Sequence, residues 1–273
     1  KNIPGLKIFY TAHGFHFFQG SPLKNWLLYY SAEKISANWT NVLITMNEED
    51  YKNAKRIMNK KGEVYKVSGV GIDLNKFYPQ TKESKNKLRM EYGYTSDDFI
   101  LIYVGELSYR KNQEFLIKSV NQLVHKIPNL KVLLVGDGPL KESYKNLVIN
   151  LGVQNHIEFL GYRKDVDKLM LLSDIAVSTS RQEGLPVNVM EAMATGLPLV
   201  VTDCRGNRDL VKNNENGFVL KLNDLNGFVT SVEKLYNSIE LKRDFAKKNI
   251  DLVERYKLET VLSELENIYK IIL

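Results

Sequence analysis

Two carboxylates flank a predicted helix start in the second half of the chain. Glu183 lies in a loop after a short apolar strand, and Glu191 lies about one turn into the helix that follows. Pro186 suits the first turn of that helix, where a missing N–H costs little, and Gly196 is typical of a helix end. Free amides at a helix start attract phosphate or another anion. Carboxylates beside such a site would repel phosphate, but they could accept hydrogen bonds from neutral sugar hydroxyls.

The residues alone leave two interpretations of these acids open. In the first, one acid holds a ribose and the other a hexose, and a diphosphate lies between them over the amides. In the second, Glu183 is an exposed loop acid and Glu191 is a helix acid that the helix dipole stabilises.

The stretch that contains both acids resembles the signature of family 4 retaining glycosyltransferases. It reads Glu-Gly-Leu-Pro-Val-Asn-Val-Met-Glu-Ala-Met-Ala-Thr-Gly-Leu-Pro, with seven residues between the glutamates. The resemblance implies an α/β protein of the GT-B architecture, with two Rossmann-like domains. It also implies transfer of a sugar from a nucleotide-sugar co-substrate, UDP-linked, without a cofactor. The acceptor would be a glycan or a polyprenyl-linked glycan in bacterial capsule or exopolysaccharide synthesis.

The alternation of strands and helices predicts how the chain is organised. From Phe99 onward, six short apolar strands alternate with helices, which indicates a parallel sheet with ligands beyond its carboxyl ends. Residues 80–95 are polar and lysine-rich. We therefore expect a partial N-terminal Rossmann-like domain over 1–79 and a nucleotide-sugar-binding domain over 80–252. The last helix, 253–273, packs on its own domain or, as the resemblance implies, crosses back to the N-terminal domain.

The resemblance also implies several strand–helix units before residue 1 that this sequence does not contain. Removing them would expose a long sheet edge that invites pairing. We expect that the N-terminal part is a fragment, is completed by a partner chain, or is degenerate.

The resemblance assigns catalytic roles to four residues. His13 matches a histidine that faces the donor sugar from the opposite domain, and His16 matches less well; each could instead be a loop histidine with a structural hydrogen bond. Lys111 matches a lysine that contacts the diphosphate. Arg110 is the second cation, because Glu106 stands where the family often has arginine. Cations are disfavoured at a helix start, so their presence there favours an anionic ligand. Glu183 would hold sugar hydroxyls.

The remaining expected contacts bind the nucleotide-sugar. Glu191 would accept from the ribose, and the other positions are glycines and loop residues near strand ends: Gly184, Leu185, Pro186, Val187, Gly105, Gly136, Gly138, Tyr162 and Arg163. Gly136 to Gly138 fits a plain turn equally well. Asp165 and Asp167 form an Asp-x-Asp pattern that binds a metal in other sugar transferases. Here it is typical of a helix start capped by Asp165, and we predict no metal site.

Composition narrows the class of protein. The net charge of +6 suits phosphates, nucleic acid or an anionic membrane, but the lysines are dispersed and no nucleic-acid-binding motif is present. Cys204 is the single cysteine, so an internal disulfide is excluded. No apolar run approaches the ~20 residues of a membrane span and no signal peptide is visible, so we expect a cytoplasmic protein. For residues 15–34 two interpretations are open: the stretch lies at a membrane surface, or it is an aromatic-rich core helix.

Two other functions stay open. A non-catalytic or partner-dependent nucleotide-sugar-binding fragment would bind UDP without transfer. A sugar-nucleotide epimerase of similar architecture would form product without an acceptor, but the additional acid and base residues that it needs cannot be placed in this sequence.

Overall fold

The computed structural model describes residues 5–272, and contacts between residues divide the chain into two compact units. The first unit takes in residues up to Gly71, the short segment Glu183–Leu185, and the residues from Arg255 onward. The second unit comprises Ile72–Gln182 and Pro186–Glu254. This division follows contacts only, and the predicted domain ranges of 1–79, 80–252 and 253–273 stay a prediction.

The first unit contains a parallel sheet of three strands in the order β1 (Phe9–Ala12), β2 (Val42–Thr45) and β3 (Glu63–Lys66). Its helical elements are α1 (Leu23–Asn25), a π-helical turn (Trp26–Tyr30), α2 (Ser31–Ser36), α3 (Glu48–Ile57) and α12 (Leu258–Ile272). Asn47 caps α3, since its side chain accepts from the Asp50 N–H at 2.8 Å.

Both faces of this sheet are covered. Leu43 of β2 packs with Phe15 and Phe17 on one side. Ile44 packs with Ile268 of α12 on the other. The terminal helix is also held by Ser68, whose backbone N–H donates to the Glu264 carboxylate at 2.7 Å. The structure thus places the terminal helix against the sheet of the first unit.

The second unit contains six parallel strands, confirming the six predicted from the sequence. They are β4 (Phe99–Val104), β5 (Leu130–Val135), β6 (Ile157–Gly161), β7 (Ile175–Ser178), β8 (Leu199–Thr202) and β9 (Gly217–Leu220). Their order is β6-β5-β4-β7-β8-β9. This is the Rossmann order, in which the chain reverses direction across the sheet between β4 and β7 and leaves a crevice there.

Eight helices connect and flank these strands: α4 (Lys82–Tyr92), α5 (Gln113–Leu123), α6 (Lys141–Asn150), α7 (Val166–Leu172), α8 (Val187–Ala194), α9 (Arg205–Leu210), α10 (Leu225–Asn237) and α11 (Ile239–Val253). Pro186 lies at the N-cap of α8, one position before the predicted first turn. Gly196 adopts φ +72°, a left-handed conformation typical of the residue that ends a helix.

A buried ion cluster fixes α4 to the sheet. The Asp174 carboxylate, just before β7, accepts from Lys85 at 2.6 Å and from Arg89 at 2.7 Å. It also accepts from the backbone N–H of Ile100 in β4, at 2.7 Å. One carboxylate therefore connects α4 and the start of β7 to the central strand β4.

Candidate nucleotide-sugar site

A cavity of about 770 Å³ opens at the carboxyl ends of the strands in the second unit. Three consecutive strands supply its walls: Val104 to Glu106 after β4, Val135 to Asp137 after β5, and Tyr162 to Lys164 after β6. The lining is completed by Lys76, Phe77, Val166 and Glu191 of α8. The cavity lies where ligands bind in open parallel sheets, beside the point where the strand order reverses.

Two of the predicted glycines form a backbone floor in this cavity. A Cβ at Gly136 would lie 2.1 Å from the Gly105 carbonyl oxygen, and Gly136 has φ +138°. Only glycine fits there, because the ends of β4 and β5 come together without side chains between them. The same crowding explains Gly138, which packs on the backbone of Leu107 outside the cavity lining. A ligand can therefore approach the main chain closely.

Three carboxylates line the cavity, and Glu191 is the one that is partly buried, whereas Glu106 and Asp137 are exposed. Burial raises the pKa of Glu191 from about 4.5 to about 7; Lys76 opposes this shift and Asp167 adds to it. Burial is the main cause, since it removes water from the carboxylate and so favours its neutral form. A ligand that donates hydrogen bonds to the carboxylate would return it to the charged form.

Tyr162 and Arg163 form the outer rim. Tyr162 is 80% exposed. The Asp165 carboxylate holds Arg163 by two charge-assisted hydrogen bonds of 2.8 and 2.6 Å, and it accepts from the Tyr92 hydroxyl at 2.6 Å. The prediction that the Asp165 side chain caps α7 is wrong, although the residue occupies the N-cap position. The guanidinium two residues earlier offers stronger, bidentate bonds than a backbone N–H does.

Lys111 and Arg110 lie beside this cavity rather than in its lining. A methyl group at Gly105 would lie 3.4 Å from Lys111 Cε, so the lysine side chain runs along the glycine that lines the cavity. The Tyr103 hydroxyl fixes the lysine backbone by donating to its carbonyl oxygen at 2.8 Å. Arg110 is exposed, and its guanidinium donates to the Gln182 carbonyl oxygen at 3.4 Å.

The start of α8 is anchored to the central strand. The Asn188 side-chain amide donates to the Val104 carbonyl oxygen at 2.7 Å. This bond sets the position of the first helical residue, Val187, and of the Pro186 that precedes it, relative to the end of β4. The amides that were predicted to attract an anion therefore belong to a fixed element next to Gly105.

His13, Glu183, Gly184 and Leu185 belong to the first unit. His13 is exposed in the loop after β1, and a Cβ at Gly184 would lie 1.9 Å from its carbonyl oxygen. The Glu183–Leu185 loop therefore packs directly on the His13 backbone, and glycine is required at the contact. Leu185 packs with the cluster around Ile44, and Glu183 is 5% exposed.

Other residues that line the cavity were not predicted as site residues, among them Lys76, Phe77, Asp137, Lys164 and Val166. A local signal exists for Lys76, because Asp73 accepts from the backbone N–H groups of Asn75 and Lys76 and so folds this turn. The pattern Asp-x-Asn-Lys after a glycine-rich run predicts a turn, but whether that turn lies at the cavity depends on tertiary contacts.

Taken together, the cavity offers a glycine backbone floor, a partly buried carboxylate, Glu191, besides two exposed ones, basic side chains at the rim and a neighbouring helix start. This combination suits a ligand with neutral hydroxyls and a negatively charged phosphate group. The fold and the cavity define a sugar- or nucleotide-binding α/β protein.

Comparisons with known proteins agree with this class. The sequence profile of "Glycosyl transferases group 1" matches residues 84–251. The chain is 40% identical to the Bacillus subtilis protein named "Putative glycosyltransferase EpsD", over 97% of its own length and 70% of that protein. It is 31% identical to the UDP-Gal:alpha-D-GlcNAc-diphosphoundecaprenol alpha-1,3-galactosyltransferase of Escherichia coli, over 84% of the chain and 59% of that enzyme.

Solved structures share the fold. HepE of Anabaena, solved in complex with UDP-glucose, superimposes with a TM-score of 0.85 at 20% identity, covering 97% of this chain and 72% of HepE. Because the family profile matches more than half of the chain and EpsD is 40% identical to it, the chain belongs to the group 1 glycosyltransferase family, a family of sugar-transferring enzymes. The predicted GT-B fold class is confirmed, and the predicted resemblance is confirmed at the level of the family.

Within residues 5–272, no helix is both long and apolar enough to cross a membrane.

Proposed function

We propose that the chain is the donor-binding and catalytic part of a retaining glycosyltransferase that uses a UDP-sugar. The observation that carries the proposal is the cavity at the carboxyl ends of β4, β5 and β6, with Glu191 beside a floor of glycine backbone. A nucleotide-sugar has the matching chemistry: ribose hydroxyls donate to a carboxylate, and a diphosphate needs cations and amides.

In this proposal each part of the cavity binds one part of the donor. Glu191 accepts hydrogen bonds from the ribose hydroxyls, and Tyr162 and Arg163 frame the base. Lys111 and Arg110, with the amides at the start of α8, stabilise the charge that develops on the departing diphosphate. Such preorganised charge stabilisation is commonly the largest contribution to catalysis.

We further propose that Glu183 and His13 act on the donor sugar. Two observations within the first unit support a joint role: Glu183 is buried although it is an acid, and the next residue packs on the His13 backbone. Glu183 would hold sugar hydroxyls and His13 would contact the reacting sugar. No covalent nucleophile on the protein is required for retention.

The proposed acceptor is a glycan or a lipid-linked glycan in the synthesis of a surface polysaccharide. Supporting this, two relatives are named for transfer to diphosphoundecaprenol-linked sugars, one from Escherichia coli and one from Campylobacter jejuni. A lipid-linked acceptor would place the protein at the cytoplasmic face of a membrane.

A second candidate is nucleotide-sugar binding without transfer by this chain alone. It is favoured by the small first unit, whose sheet has three strands in residues 5–71 against six in the second unit. A partner chain that completes the first unit would then be needed for transfer.

One series of measurements separates the candidates. Thermal unfolding of the purified chain is recorded with UDP, other nucleoside diphosphates and UDP-sugars, and the same samples are then assayed for sugar transfer to a lipid-linked acceptor. Stabilisation by UDP with transfer supports the proposal, because a ligand that binds only the folded state raises its stability. Stabilisation without transfer supports the second candidate, and no stabilisation by any nucleotide contradicts both.

A further inference from the structure

The helical segment 23–36 presents an apolar face that the first unit leaves uncovered. The segment consists of α1, the π-helical turn and α2. Its inner side is aromatic: the rings of Trp26 and Tyr30 each lie 5.3 Å from the ring of Phe17 in the core. Its outer side carries large apolar side chains that are mostly exposed: Leu23 86%, Leu27 78%, Leu28 64%, Ile35 57% and, three residues past its end, Trp39 65%. These five residues are here called the apolar face.

The π-helical turn aligns this face. A π-turn spaces residues of one side by about five positions rather than four, so Leu23 lies on the same side as Leu28. From there Leu28 and Ile35, seven residues apart, follow an ordinary helical side, and Trp39 lies in the turn after α2. In an ordinary α-helix Leu23 already shares a side with Leu27, four residues later. The wider turn brings Leu28, five residues after Leu23, towards the same side. The irregular turn therefore gathers apolar side chains on the solvent side, where no core contact requires them.

Basic side chains flank the apolar face. Lys24 and Lys34 lie within the segment, and Glu33 is the only acid between residues 5 and 47. The Glu33 carboxylate is turned inward, where it accepts from the Tyr10 hydroxyl at 2.9 Å. The outward charge of the segment is consequently basic.

A polar cleft of about 430 Å³ adjoins the face at Trp39. It is lined by Asn38, Trp39, Thr40, Asn41, Asn59, Lys60 and Lys61. Among residues 5–272, no salt bridge or hydrogen bond engages the ammonium groups of Lys60 and Lys61. An aromatic ring next to two available ammonium groups suits a phosphate at the boundary between water and lipid tails, since tryptophan and lysine both favour that boundary.

The cleft is remote from the proposed sugar chemistry of the first unit. Asn41 precedes β2, and Asn59 to Lys61 precede β3, so the cleft lies at the amino ends of the strands. His13 follows the carboxyl end of β1, so it lies at the opposite ends of these parallel strands. Occupation of the cleft therefore leaves the His13 loop accessible.

We propose that the apolar face inserts into the surface of an anionic phospholipid bilayer, with Lys60 and Lys61 binding headgroup phosphates in the cleft. A basic rim around an apolar helix face is the pattern of interfacial membrane binding. A second copy of the chain fits the surface poorly, because a symmetric contact would place two patches of the same positive charge against each other. The inference adds a docking surface to the proposed function and rests on it only for the lipid-linked acceptor.

The two tryptophans of the chain allow a direct test. In the Trp26→Phe variant, Trp39 is the remaining fluorophore. With phosphatidylcholine vesicles that contain phosphatidylglycerol, its emission should shift to the blue and be quenched by doxyl-labelled lipid; with phosphatidylcholine alone it should change little. High salt should weaken binding, since the attraction to an anionic surface is screened. Should Trp26→Phe not fold, co-sedimentation of the unsubstituted chain with the same vesicles gives the measurement.

Two double variants and a matched control identify the surface. Leu27→Ser with Leu28→Ser, and separately Lys60→Glu with Lys61→Glu, should each weaken vesicle binding about tenfold or more. Met90→Ser with Ile239→Ser removes side chains of similar exposure, 76% and 71%, from the second unit and should change nothing. Stabilisation by UDP should survive in all three, so a failed vesicle test is distinct from a failed donor site. Absence of vesicle binding, equal binding by face and control variants, or a dimer that the Leu27 and Leu28 changes dissolve would overturn the proposal.

Discussion

Glu191 combines two properties that conflict in the ligand-free protein. Burial holds its pKa near 7, so the charged form destabilises the folded state at neutral pH. The proposed ribose contact requires the charged form. A residue that costs stability in the absence of ligand and binds in its presence is typical of a functional site.

The first prediction concerns the pH dependence of stability at this residue. In the unfolded chain the carboxyl loses its proton near pH 4.5, and in the folded protein near pH 7, so the folded state binds more protons between these values. The contribution of Glu191 to the free energy of unfolding therefore falls as pH rises through this window, by about 3 kcal/mol in total. Glu191→Gln removes this loss, and urea unfolding at pH 8 should show the variant to be more stable than the unsubstituted chain.

The difference between the two proteins should shrink towards pH 5, where Glu191 is protonated in the folded state. The matched control is Glu142→Gln, because the Glu142 side chain is 77% exposed. Its stability should follow that of the unsubstituted chain at every pH. If Glu191→Gln were no more stable at pH 8, the carboxyl would not be held neutral by burial.

Gly184 gives the second prediction. Gly184→Ala would place a methyl group 1.9 Å from the His13 carbonyl oxygen, so the loop or the His13 backbone must move. We expect a loss of about 1–3 kcal/mol in the free energy of unfolding. Gly152→Ala is the comparison, because a methyl group there meets no atom within 4 Å and only its φ of +69° opposes it. A loss at Gly184 no larger than at Gly152 would show that the close contact with His13 is not needed.

At the residue scale, the site residues that could be predicted are those whose positions depend on local spacing in the sequence. Gly105, Gly136, Tyr162, Arg163 and Glu191 all line the cavity, as expected from residues at strand ends. Lys76 was not predicted as a lining residue, because that residue reaches the cavity through the tertiary fold. The Asp165 side chain was expected to accept from a backbone N–H at the helix start. Arg163 takes this carboxylate instead, and that competition depends on side-chain geometry that the sequence does not give.

At the scale of elements, the Asp174 cluster determines how α4 joins the sheet. Asp174→Ala would leave the Arg89 guanidinium, whose side chain is 4% exposed, without its carboxylate. Removing one partner of a buried pair leaves an uncompensated charge, so we predict a loss of about 3–5 kcal/mol in the free energy of unfolding.

An exposed pair provides the control for that change. The side chains of Lys118 and Glu114 on α5 are 50% and 45% exposed and lie 2.5 Å apart. Glu114→Ala should cost less than about 1 kcal/mol, because water and salt screen the pair. Equal losses from the two variants, measured by urea unfolding, would contradict the view that α4 is fixed by a buried charge.

Element types were largely predictable, because the apolar runs and helix signals are strong. The apolar runs predict strands at Val42–Thr45, Leu130–Val135, Leu199–Thr202 and Gly217–Leu220, and the bounds of β2, β5, β8 and β9 agree with them. The other strands differ from their predicted ranges by a residue or two at an end. The π-helical turn was not predictable, since residues 26–30 read as ordinary helix. The helical spacing of the apolar residues near the end of the chain predicts one apolar face for α12: Leu258, Val261, Leu262, Leu265, Ile268 and Tyr269. Of these, Val261 and Ile268 are buried, but Leu262 is 55% exposed.

At the scale of the whole molecule, the parallel sheets and the family follow from the sequence. Six strands with short helical connections admit few arrangements, and right-handed crossovers reduce them further. The contact between the Glu183–Leu185 loop and the His13 backbone did not follow, because it joins residues about 170 positions apart. The same limit applies to the contacts of α12 with Ser68.

The affinity for UDP tests the central claim, that Glu191 and the glycine floor form the donor site. Isothermal titration at pH 8, where Glu191 is ionised, compares the unsubstituted chain with Glu191→Ala and with Glu142→Ala. Hydrogen bonds to a charged group contribute about 1.5–3 kcal/mol, so Glu191→Ala should raise the Kd for UDP by about ten- to a hundredfold and Glu142→Ala should leave it unchanged. Equal UDP affinity in all three proteins would contradict the account.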